Sequence, residues 1–101
     1  MKELTGAQRK HLRSLAHHLD PICFVGKLGL TETVIRSVNL ALDAHELLKV
    51  KFIDRKEEKK DLTARIAEST GSHCVGLIGN IAILYRRHPD PEKRRIELPD
   101  A

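Results

Sequence analysis

The sequence predicts a single α/β domain: a two-layer α/β sandwich with the order α-β-α-β-α-β-β and a mixed four-stranded sheet. Three observations point there. A chain of 101 residues has room for one core and not two. Apolar residues recur at helical spacing in three stretches, and as short runs or alternation in four others. The two kinds of stretch alternate until the last two strands, which meet at a two-residue turn. Residues 1–88 are expected to form the domain and 89–101 an irregular tail.

Thr5 starts the first helix, and Gln8 stands three residues on as the partner of a capping box. Leu12, Leu15, Ala16 and Leu19 fall on one side of that helix; Arg9, Lys10, Arg13 and His17 fall on the other. Pro21 ends it. Ile22 to Val25 is wholly apolar and suits a central strand. The turn Gly26-Lys27-Leu28-Gly29 leads to Thr31, a good N-cap for a second helix lined by Val34, Ile35, Val38, Ala41, Leu42 and His45. His45 on that apolar face predicts a buried, hydrogen-bonded imidazole.

Leu48 to Phe52 alternates and reads as a half-buried strand. It sets Lys49 and Lys51 on one face, either plain solvated surface or a basic surface. Asp54 with Glu57 predicts a second capping box for a third helix, with Leu62, Ile66 and Ala67 as its stripe and Gly71 as its stop. Cys74–Ile78 and Ile81–Tyr85 flank Gly79-Asn80, whose leading glycine predicts a type II′ hairpin. Three prolines, Pro89, Pro91 and Pro99, mark the tail.

Composition excludes several classes. No apolar run approaches the roughly 18 residues of a membrane span. Met1-Lys2-Glu3-Leu4-Thr5 runs straight into helix-like sequence, so no signal peptide and no membrane association are expected. Cys23 and Cys74 lie in apolar runs without a C-x-x-C pair, which argues against a disulfide scaffold or a zinc site and fits a cytoplasmic protein. His11, His17 and His18 lack the companions of a metal set. Only Phe24, Phe52 and Tyr85 are aromatic, too few for folds that stack several bases on aromatic platforms. The serines lack a nucleophile elbow, and Glu57, Glu58 and Asp61 interleave with lysines on an exposed helix. No enzyme, cofactor or small-molecule substrate is therefore expected.

The formal net charge is +4, and its excess lies in residues 1–30, with five basic against two acidic side chains. Two features there share a chemistry. Gly26 and Gly29 let backbone approach a ligand closely, Lys27 adds charge, and the following helix N-terminus favours anions. The spacing fits neither a Walker nor a dinucleotide loop. A clamp on a nucleic-acid backbone remains, as does a plain turn. The stripe Arg9, Lys10, Arg13 and His17 can track phosphates or be an ordinary solvated face. Both features flank the same short strand, so they are expected to share one side of the domain. Tyr85-Arg86-Arg87 offers a further ring and two charges at the end of the last strand.

Taken together, Leu12-Arg13 through Ala16-His17, Pro21, Gly26-Lys27-Leu28-Gly29-Leu30-Thr31, His45 through Val50, and Ile78-Gly79 through Leu84-Tyr85-Arg86 resemble a CRM domain (chloroplast RNA splicing and ribosome maturation) of the bacterial stand-alone YhbY family. The resemblance runs from about residue 4 to residue 87. It implies a fold similar to the C-terminal domain of translation initiation factor three. It also implies RNA binding without catalysis, with ribosomal RNA in precursors of the large ribosomal subunit as partner. The family loop maps onto Gly26, Lys27, Leu28 and Gly29, and its basic surface onto the first helix, which carries Arg9, Lys10, Arg13 and His17, together with Lys27. Thr31 and Arg86 border the expected site. A monomer is expected. The charge-rich stretch 54–61 departs from the pattern and leaves open whether the third helix touches RNA. The rival expectation is a protein-interaction module that docks on a ribosomal or translation protein through its sheet.

Overall fold

Thr5 takes an extended backbone, its hydroxyl accepts from the Gln8 amide, and the Gln8 side chain accepts from the Thr5 amide at 3.0 Å. This capping box opens α1 (Gly6–Ala16). In a computed structural model, which describes residues 3–100, there follow β1 (Cys23–Val25), α2 (Glu32–His45), β2 (Leu47–Phe52), α3 (Lys59–Thr70), β3 (His73–Ile78) and β4 (Ile81–Tyr85). Met1, Lys2 and Ala101 of the expected domain and tail lie outside the described residues.

The sheet order is β1-β2-β4-β3, with β1 parallel to β2 and both other pairs antiparallel. Alternation along the strands supplies two cores. Cys23, Val25, Leu48, Val50, Phe52, Ala82 and Leu84 pack against Val38 and Leu42 of α2 and Leu62 and Ile66 of α3. Leu47, Val75, Ile83 and Tyr85 point the other way, against Leu12 and Ala16 of α1. The expected two-layer body is thus the sheet with α2 and α3, and α1 adds a short third layer over part of the opposite face. At about 25 cal/mol per Å² of buried apolar surface, both cores hold the fold.

Thr31 caps α2 through the Val34 amide, and Gly71 ends α3 in the left-handed region, as expected. Gly79 has φ +58 while Asn80 is not left-handed, which is type II′ rather than I′.

Two local expectations are corrected. Asp54 does not cap with Glu57: its carboxylate accepts from the Arg55 amide at 2.7 Å. Arg55 is left-handed, and a 3-10 turn over Lys56–Glu58 precedes α3. His45 is exposed; its neighbour Glu46, at φ 63, turns into the interior instead and is 1% exposed. The tail is irregular apart from a 3-10 turn over Pro91–Lys93, yet it is docked. The Glu46 carboxylate accepts from the amides of His88 (2.8 Å), Arg95 and Ile96 (3.0 Å), and Ile96 and Leu98 pack beside Leu4 on the α1 core.

Candidate nucleic-acid interface

The turn after β1 is built by a 3.0 Å bond from the Gly29 amide to the Gly26 carbonyl. That bond projects Lys27 and Leu28 into solvent, with Leu28 82% exposed. The amides of Lys27 and Leu28 have no partner among the described residues. The two glycines differ. Gly29 has φ +70, and a Cβ there would stand 3.2 Å from Arg55 Nε; a Cβ on Gly26 would meet nothing. Gly29 is therefore required by conformation and by close approach, whereas Gly26 leaves open space above the turn.

Arg55 is the residue the sequence did not single out. Its Nε donates to the Lys27 carbonyl at 2.7 Å, and its guanidinium pairs with Glu58 at 3.3 Å. The side chain lies under the turn and fixes its shape. The charge run 54–61 hid it, because nothing local distinguishes Arg55 from the cations beside it. At the N-terminus of α2, the Thr31 oxygen is engaged as a cap and Glu32 occupies the first turn. The anion-attracting end of that helix is thus partly satisfied within the chain.

The basic stripe and the turn lie at opposite edges of the sheet, so the expected shared rim is not formed by direct contact. α1 lies toward the β3 edge. Arg9 donates to the Cys74 carbonyl at 2.6 Å and Arg13 to the Val75 carbonyl at 3.0 Å. These carbonyls sit at the β-bulge between Cys74 and Gly76, on an edge strand whose outer groups lack a neighbouring strand. β1 and β3 are three strand spacings apart, about 14 Å. Arg13, Lys10 and His17 remain exposed and Arg9 half-buried, with His17 edge-on to His18.

Between the two edges the α1 face of the sheet is open. One cross-strand row, Phe24 opposite Lys51 opposite Ile81 opposite Ile78, crosses all four strands beyond the cover of α1. Phe24 is 51% and Ile78 66% exposed. Lys49 donates to the Leu19 carbonyl at 2.9 Å, while Lys51 is exposed without a bonding partner among the described residues. Lys49 and Lys51 thus stand on a basic face, and the four strands contain no carboxylate. Arg13 reaches this face at its β3 edge, and the turn follows β1 at the other edge, while Lys10, two residues before the sheet-facing Leu12, projects away from the sheet.

Arg86 and Tyr85 do not reach it. The two terminal nitrogens of Arg86 donate to Asn39 Oδ1 (2.7 Å), the Thr70 carbonyl (2.6 Å), the Asn39 carbonyl (3.0 Å) and Asp43 (2.9 Å). Arg86 clamps β4 to α2 and to the last carbonyls of α3 and has no terminal N–H left for a phosphate. The Tyr85 ring is buried under α1, where burial and then the Glu46 charge push its phenol above the ordinary range. Burial likewise raises the Cys23 thiol, which is unsuited to nucleophilic work.

Comparison with known proteins places this geometry. A model of the CRS1 / YhbY (CRM) domain matches residues 4–86. The chain is 41% identical over 97 residues to the Probable RNA-binding protein YqeI of Bacillus subtilis, across 95% of this chain and 99% of that one. It is 40% identical over 100 residues to an RNA-binding protein of Haemophilus influenzae, across 98% of each. The solution structure of the hypothetical protein SAV1595 from Staphylococcus aureus superposes with a TM-score of 0.79 at 38% identity, covering 96% of this chain and all of that one.

Proposed function

The chain belongs to the CRS1 / YhbY (CRM) domain family, and on that premise we propose that it binds RNA through phosphate contacts at the Gly26–Gly29 turn. The observation that carries this is the turn itself: an exposed, glycine-flanked tip with Lys27 at its apex, two open amides, and an arginine brace beneath it. Relatives named as RNA-binding proteins support the same reading.

The contact is electrostatic. Lys27 and the amides of Lys27 and Leu28 hold one phosphate. Lys51 on the open face and Arg13 at its β3 edge supply further cations, and Lys10 and His17 add exposed basic groups on α1. Recognition of this kind reads backbone shape more than base identity. The proposed partner is ribosomal RNA in a precursor of the large subunit, bound by a cytoplasmic monomer that performs no chemistry on it; the resemblance of the sequence motifs supports this choice.

Fluorescence anisotropy of the protein with fragments of large-subunit precursor RNA tests it. With about four phosphates neutralised, the log–log slope of affinity against salt is expected near −3. Lys27→Glu is expected to weaken binding about tenfold or more without lowering the melting temperature. A flat salt response with Lys27→Glu binding like wild type overturns the reading. Crosslinking in cells, followed by identification of the attached RNA, tests the ribosomal partner.

A further inference from the structure

Of the three aromatic side chains, Phe52 and Tyr85 are buried in the two cores, and Phe24 stands half-exposed on the open face. A small domain gains by burying a phenyl ring. Here the alternation of β1 turns Cys23 and Val25 inward and commits Phe24 to the surface. Its surroundings are specific. Lys51 is its cross-strand partner, Lys27 lies three residues along the chain, and Ile81 and Ile78 continue the row as an apolar floor. No acidic side chain occurs in any of the four strands.

We propose that Phe24 is a stacking platform for one unpaired RNA base, next to the phosphate held at the Gly26–Gly29 turn. The inference rests on the RNA-binding reading and deepens it, because it specifies an RNA with at least one unstacked nucleotide rather than a continuous duplex. An apolar ring paired with Lys51 and three residues from Lys27, on strands that contain no carboxylate, matches a base with a phosphate on either side. An apolar protein segment would gain nothing from the lysines. Phe24 and the Lys27 amide are three residues apart, at most about 10 Å of chain, a separation that one or two nucleotides can span.

The test uses the full chain with a hairpin RNA bearing an unpaired loop and with a perfect duplex of the same length. The protein contains no tryptophan, so Phe24→Trp introduces a single reporter at the platform. F24W is expected to bind the hairpin like wild type, with its fluorescence quenched on binding. F24A and F24L are each expected to lose about tenfold in affinity for the hairpin, within the range for one stacked base; leucine keeps apolar area but has no π-face. Affinity for the duplex should be unmoved by all three changes. Thermal melting confirms that each variant is folded. Undiminished hairpin binding by F24A overturns the platform alone and leaves the row to a protein partner, as does wild-type affinity of F24L or an unquenched F24W. A wild-type protein that binds neither RNA overturns the RNA-binding reading itself.

Discussion

Arg55 Nε donates to the carbonyl of Lys27 across 2.7 Å, joining the stretch before α3 to the turn after β1. The same side chain lies against Gly29, where an added Cβ would approach its Nε to 3.2 Å and its Cδ to 3.3 Å. The turn is therefore held in one shape before any ligand arrives, which lowers the ordering cost of binding.

This predicts a sharp difference between the two glycines. Gly29→Ala must place a Cβ at φ +70 and displace Arg55, so it is expected to destabilise the fold by about 1–3 kcal/mol and to weaken RNA binding. Gly26→Ala meets open space at an ordinary φ, so its stability is expected to stay within about 0.5 kcal/mol of wild type. Urea denaturation of both variants measures the contrast. Equal stabilities would mean that the Arg55 contact and the left-handed backbone carry no constraint.

Arg86→Ala separates structure from function. Removing the guanidinium leaves the Thr70 and Asn39 carbonyls without their donor and loosens β4 from α2 and α3. A loss of about 2–3 kcal/mol is expected, typical for bonds to a charged donor whose partners are left partly buried. RNA affinity of the folded variant is expected to match wild type at low temperature. A selective loss of affinity with unchanged stability would return Arg86 to the binding surface.

These outcomes trace what the sequence could and could not carry. Thr5 with Gln8, Thr31 with Val34, and Gly79 before Asn80 act within three residues, so local chemistry announced both helix starts and the hairpin. The Gly26–Gly29 turn was legible for the same reason. Arg9 and Arg13 find their acceptors 65 and 62 residues away, and Arg86 finds Asn39 at 47. Helical spacing put Arg9 and Arg13 opposite an apolar face but could not say that an edge-strand bulge would claim them. An amphipathic helix also declares that it packs, not on which face of a sheet, so the separate layer of α1 was hidden. His45 and Glu46 were exchanged for a local reason: the chain turns left-handed at Glu46, and helical periodicity stops predicting burial there.

Glu46 predicts a tail that matters for stability. Its carboxylate receives three backbone amides from residues 88–96. Glu46→Gln replaces one acceptor oxygen by a donor that faces an amide, and is expected to cost about 1–3 kcal/mol. Truncation after His88 removes Ile96 and Leu98 from the α1 core and is expected to lower the melting temperature as well. Limited proteolysis provides a second readout: cleavage within 89–100 should accelerate in Glu46→Gln and remain slow in wild type. Equal cleavage rates would show that the tail is held by something other than this carboxylate.

His73 sets an expected pH dependence. It stands at the start of β3, where its Nε2 is buried and finds no hydrogen-bond partner among the described residues. Burial, and then the Arg9 charge, push its pKa below the ordinary imidazole value of 6.5, with Glu3 acting weakly in the other direction. In the unfolded chain the group titrates near 6.5, so as pH falls through that value the unfolded state takes up a proton that the folded state resists. The unfolded state then binds more protons, and stability rises with pH across this window. The contribution is complete above about pH 7 and is lost as pH falls from there toward the depressed folded value. His73→Phe keeps the ring volume and removes the titration. Denaturation midpoints at pH 5.5 and 7.5 should therefore differ less in His73→Phe than in wild type. A pH dependence that survives the substitution unchanged would assign it to other groups.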